Sequence, residues 1–265
     1  MDHLSPIGFK IQSQENFIEV IEKVFENGKP VNAGKRKYIV YSDDSGAEFW
    51  LQLNKKGEFI GGNPHFQGKS KRKVVLSSTI TGFGNEMDGA FYCWAEPKEQ
   101  GNPESGAYPF VFELPDFSLY KNIVLPQDIE IQLTAFAQEI NYYKDEKEFA
   151  DNQKSELKFA TRSFIPSGLF TKDEKDEKEA AGMFSGVILD VEKRTNKLTG
   201  QEFYWMLVDT HGGEIDVVAN IELLNKIPER SGIIQGYFWL TGKLLTQPVQ
   251  KSKKGFFTKY FFKIN

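Results

Sequence analysis

The stretch Gly182-Met-Phe-Ser-Gly-Val-Ile-Leu-Asp-Val-Glu192 decides how the chain is read. Met183, Val187, Leu189 and Val191 recur with a period of two, which puts alternate side chains on one face of a strand. A polar run, residues 193–201, follows, with Asn196 and Gly200 as turn formers. Residues 203–208 then make a dense aromatic and β-branched strand. His211-Gly-Gly213 predicts a tight turn into residues 214–219, where Ile215, Val217 and Ala219 share a face. Residues 221–227 predict a short helix that plugs the end of a barrel and stops at Pro228. Residues 232–244, rich in Tyr237, Phe238, Trp239 and Leu240, are the fourth strand, and the tail offers a fifth.

Strand, turn, strand, turn, strand, short helix, strand is the order of a small OB-type barrel, and residues 181–265 resemble that fold. The resemblance implies a binding module. Taken whole, the chain is also similar to a group of uncharacterised bacterial proteins, which implies neither an activity nor functional residues.

The 265 residues suffice for one large core or two ordinary ones, and 23 phenylalanines are available to fill them. No stretch approaches the ~18–20 apolar residues of a membrane span, and the first residues lack a signal-peptide pattern. One cysteine, Cys93, excludes an internal disulfide framework and a multi-cysteine zinc site. A reducing, cytoplasmic setting is the expectation. The net charge of −4 argues against a generally basic nucleic-acid coat. From Ala181 onward eleven Lys/Arg face eight Asp/Glu, a balance of +3 that leaves −7 for the first 180 residues.

Upstream, residues 8–11 suggest a short strand. Ser13 is placed to cap a helix with an apolar stripe through Phe17, Ile18, Val20, Ile21, Val24 and Phe25, with Gly28 just past its end. Residues 37–41 and 47–53 flank the turn 42–46, and 57–60 continue the meander. The basic cluster 69–73 reads as a solvated loop, with phosphate contact as the alternative. Residues 74–80, 91–95 and 108–114 read as further strands, and the glycine-rich 82–89 as a hairpin loop that matches no phosphate-binding motif. Residues 129–140 alternate at Ile129, Ile131, Leu133 and Ala135, which favours a strand over a helix. Residues 145–158 read as a helix, 164–170 as an apolar connector, and 171–179 as a charged linker. The expected fold is mainly β: an α+β antiparallel-sheet domain over 1–170, a linker at 171–180, and the barrel over 181–265.

Catalytic signals are weak. His3, His65 and His211 have no metal-ligand spacing, and no G-x-S-x-G elbow occurs. Asp43, Asp44, Glu86 and Asp88 are a candidate carboxylate group, though acids in tight turns commonly bond turn amides. No catalytic residue, metal or cofactor is assigned. The tail interleaves Phe257 and Phe261 with Lys259 and Lys263, a pattern that stacks bases and meets phosphates. With Phe203, Trp205, Tyr237 and Trp239 these form a candidate contact set for single-stranded nucleic acid. Tyr204 and Phe238 lie on the opposite faces of their strands, so one set must be core. Two other functions stand beside it: a protein-interaction or scaffold protein using the same aromatics, and an enzyme with a small molecule between its halves.

Overall fold

Residues 3–82, 84–153, 158–167 and 179–250 are described by the computed structural model. α1 (Gln14–Asn27) starts where its cap predicts, the Ser13 hydroxyl accepting the Asn16 amide at 3.1 Å. Its expected stripe is narrower: Val20 and Val24 are buried, whereas Ile18 and Phe25 lie off that face and are about half exposed. β1 (Lys29–Ala33), β2 (Arg36–Ser42), β3 (Ala47–Leu53) and β4 (Phe59–Phe66) form an antiparallel meander. β5 (Arg72–Ile80), β6 (Ala90–Ala95) and β7 (Pro109–Glu113) follow, then β8 (Gln127–Tyr143), α2 (Glu146–Asn152) and β9 (Ser163–Pro166). β10 (Ala181–Thr195), β11 (Glu202–Thr210), β12 (Gly213–Asn220) and β13 (Ile233–Leu244) come last. The fold is mainly β, as the sequence predicts.

Five strands close a ring: β10 pairs with β11, β11 with β12, β12 with β8, β8 with β13, and β13 with β10. Every contact is antiparallel except β12–β8, where Asp216–Val218 run parallel to Thr134–Phe136. The expected fifth strand falls in the tail, which lies outside the described residues. β8, from the other side of the charged stretch 171–180, fills that position, so the ring is not confined to 181–265. β8 and β13 belong to a second ring as well, since β8 also pairs with β5, β5 with β6, β6 with β7, and Glu113 of β7 bridges Thr241 of β13.

β8 can serve both rings because its inward parity changes part-way. Ile129, Ile131, Leu133, Ala135 and Ala137 point into the core, then Ile140 and Tyr142 do. Gln138 is the extra residue, a bulge against Tyr237 and Phe238. β10 does the same. Phe184 and Ile188 face the core, Leu189 is the bulged residue, and Val191 packs inward beyond it. The expected single face through Met183 and Leu189 is therefore corrected: both are 40% exposed. The predicted plugging helix is also smaller, a single 3-10 turn over Ile221–Leu223. Ile221 and Leu224 reach the core while Leu223 and Ile227 stay exposed, too few apolar contacts to hold a longer helix. Residues 8–11 form no strand, and the connector at 164–170 begins as β9, whose Phe164 stacks on Tyr108 and Phe184.

The β1–β4 sheet and α1 lie on the outer face of the first ring. Phe49, Leu51 and Phe66 pack there against Phe136, Phe203, Trp205, Val218 and Trp239. A buried carboxylate ties the layers together. Asp216 accepts the Lys69 and Ser70 amides at 2.9 Å each, and the Trp205 indole N–H and Gln132 amide at 2.8 Å each. Gly68 makes this approach possible, since a Cβ there would sit 2.0 Å from the carboxylate. The basic cluster 69–73 is solvated at Lys69, Lys71 and Lys73, as expected, but not at the two residues between them. Ser70 and Arg72 are buried, and the Arg72 guanidinium donates to the carbonyls of His211, Gly212 and Gly213.

Asp216→Ala should cost about 3–5 kcal/mol of unfolding free energy, because it strands four buried donors. Urea unfolding measures this, and a loss below about 1 kcal/mol would show that the clamp is dispensable.

A candidate ligand cavity at the seam of sheet and barrel

The aromatic rows of the first ring alternate as their sequence requires. Tyr204, Met206 and Phe238 fill its interior, while Phe203, Trp205 and Trp239 face outward. Outward does not mean solvent. Phe203 and Trp205 are 0% exposed beneath β3 and β4, and the Trp205 ring carries Lys69 at 4.4 Å and Arg194 at 4.3 Å. Arg194 also donates to the Ser45 carbonyl at 2.9 Å, and the loop after β10 grips the N-terminal segment through Asn196 to Ile7 and Thr199 to Gly8. The face on which Phe203 and Trp205 stand is therefore occupied by this chain. Tyr237 is half-buried, its hydroxyl 3.4 Å from Glu179. Phe257, Lys259, Phe261 and Lys263 lie outside the described residues.

The four acids of the expected carboxylate group do not converge. Asp43 caps its own turn, accepting from Ser45 and Tyr41, Asp44 pairs with Lys197, and Glu86 pairs with Arg36. Asp88 goes elsewhere, into the cavity described below.

A second polar chain crosses the seam. Gln132 donates to Asp216, which fixes its amide orientation and leaves its oxygen to accept from His65 Nε2 at 3.0 Å. His65 Nδ1 then accepts the Thr241 hydroxyl at 2.7 Å. Burial holds the His65 pKa well below its usual value, and the nearby Lys243 charge lowers it further, so the ring is neutral. All four side chains are buried, so this Thr–His–Gln–Asp chain fastens layers and meets no substrate.

Of the described members of the expected set, Trp239 lines a cavity. It is 6% exposed, and its indole N–H donates to Glu113 Oε1 at 2.9 Å. The His3 imidazole stacks on it at 4.1 Å with the planes 9° apart. The space beside them measures about 560 Å³. Leu4, Ile11 and Phe17 give it an apolar side, Gly62–Pro64 of β4 another, and Asp88 with Glu113 its acidic groups. Asp88 is held rigidly: Gln52 and Asn63 donate to Oδ1 at 2.7 and 2.9 Å, and the Asn85 amide donates to Oδ2 at 3.1 Å. Burial pushes Glu113 up to about 6; the Trp239 bond opposes the rise and the Asp88 charge adds to it. Among the described residues no lysine or arginine pairs with either acid.

Sequence reasoning missed Glu113, yet a signal was present. In Phe110-Val-Phe-Glu113, phenylalanine marks the core face, so the acid must lie on the opposite, sheet-covered side. Nothing local marks His3, whose role depends on a ring 236 positions away.

The sign of the Glu113 shift is testable. Its folded value lies above the usual 4.5, so the native state holds this proton more tightly than the unfolded chain. The stabilisation is present in full below 4.5 and is lost as pH rises through about 6. Tryptophan fluorescence should titrate with a midpoint near 6 in the native protein, and Glu113→Gln should abolish that step. An unchanged titration in the variant would assign the step to another group.

Compared with family models, with curated proteins and with solved structures, the chain gives no match.

Proposed function

We propose that the protein is a non-catalytic binding protein that receives a group of a protein partner in the seam cavity. The lining of that cavity carries this reading: an imidazole stacked on an indole, an apolar side, and two acids with no lysine or arginine partner among the described residues. Such a lining repels phosphate and suits a group rich in N–H donors. The proposal includes reading the five-stranded ring as an OB barrel with β8 in the fifth position, supported by the strand order and the parallel β12–β8 contact. It also includes a cytoplasmic setting, supported by the single buried thiol of Cys93, and a bacterial source, which rests on the resemblance alone. No described helix is long and apolar enough to cross a membrane.

The OB-type strand order favours a second reading, single-stranded nucleic acid. On that reading Phe257, Lys259, Phe261 and Lys263 make the contacts, because Phe203 and Trp205 are covered.

Two measurements separate them. A fragment set of cationic, anionic and neutral aromatic compounds, followed by ¹H–¹⁵N shifts, should move the Gly62 and Asn63 amides with cationic and neutral donors. Fluorescence anisotropy of labelled poly-dT should stay flat at low and at physiological salt. Micromolar poly-dT binding that weakens steeply with salt, and is lost in Lys259→Glu/Phe261→Ala, would replace the first reading by the second. Absence of any fragment shift at Gly62 or Asn63 would overturn the cavity as a ligand site.

A further inference from the structure

The seam cavity combines three features that together select a ligand chemistry. Among the described residues its acids have no lysine or arginine counter-charge: Lys243 is committed to Glu48 at 2.7 Å, and Arg36 to Glu86. The two carboxylates are fixed in direction, Asp88 by three N–H donors and Glu113 by the indole. The His3 imidazole, stacked on the Trp239 indole, stands beside them as a planar group, and Leu4, Ile11 and Phe17 make the apolar side.

Phosphate and carboxylate ligands are repelled by this charge. A metal ion lacks donors, since among the described residues no three His, Cys, Asp or Glu converge to hold one. A lysine ammonium would satisfy the acids and gain little from a planar group. A guanidinium satisfies both requirements, because it is planar, stacks on aromatic rings and presents several N–H donors in one plane. Its methylene stem suits the apolar side. The volume of about 560 Å³ lies within the range of small-ligand sites.

We propose that the seam cavity is a pocket for an arginine side chain, presented by a basic segment of a partner protein. The inference rests on the preceding reading that a partner's group enters this cavity. Glu113 and Asp88 take the guanidinium N–H groups, the His3–Trp239 stack flanks its plane, and Phe17 with Ile11 contacts the stem.

The test is an NMR titration of the full chain with N-acetyl-arginine amide and with N-acetyl-citrulline amide, which keeps the shape and removes the charge. Arginine amide should give saturable shifts at Gly62 and Asn63, with citrulline amide about tenfold weaker. Glu113→Gln, which preserves an acceptor for the Trp239 indole, should weaken arginine amide by about tenfold while the amide spectrum remains dispersed. Equal binding of the two compounds, or unchanged affinity in Glu113→Gln, would overturn the arginine assignment and leave the cavity a ligand site. If neither these compounds nor the fragment set shifts Gly62 or Asn63, the arginine assignment and the cavity reading both fall.

Discussion

A carboxylate shut away from bulk solvent organises this molecule. Asp216 is fully buried, and so polar a group is tolerable there only because four N–H donors replace its hydration. Those donors come from the segment after β4, from β8 and from β11. Satisfying one side chain thus fixes the sheet, the strand that closes the ring, and the strand bearing Trp205. From Gln132 the same order passes to His65 and Thr241, whose burial leaves the imidazole neutral. A slip of the sheet by one residue would break several of these bonds at once, which sets its register as firmly as the apolar packing does.

The aromatic richness of the C-terminal strands therefore serves assembly before it serves recognition. Phe203 and Trp205 are fully buried, and burying large apolar side chains stabilises by about 1.5–3 kcal/mol each. Lys69 and Arg194 lie over the indole in the manner of a ligand's cations, but they belong to the same chain. On the proposed reading, recognition falls to the margin of this contact, where Trp239 lines the cavity beside Glu113.

Much of the secondary structure was legible because its signals are local. Ser13 and Gly28 bracket α1, the turn at 42–46 joins β2 to β3, and Ile215, Val217 and Ala219 mark the core face of β12. The alternation of Ile129, Ile131, Leu133 and Ala135 identified β8 as a strand, though not its partners. Pairing across the charged stretch is a non-local choice, and a strand that fits an unfinished ring carries no mark of its destination. The bulges at Gln138 and Leu189 were hidden for a related reason. A parity change reads in sequence as a lapse in the pattern, and only the partner strand shows where the extra residue lies. The cavity combines both difficulties: Glu113 was inferable from the alternation of β7, whereas His3, Asp88 and Trp239 meet only after the layers pack.

Closing the ring with a strand from the first half has a consequence for how the chain acquires its structure. During synthesis β8 is complete well before β10 to β13 exist, and until they appear only β5 pairs along it, over Gln127–Ile131. The remainder of its length must wait with unmade hydrogen bonds, open to strands of neighbouring molecules. Contacts so distant in sequence raise the contact order, so the ring should form slowly and late. A chain interrupted before β10 is then more than an incomplete protein: it is a molecule with an adhesive edge.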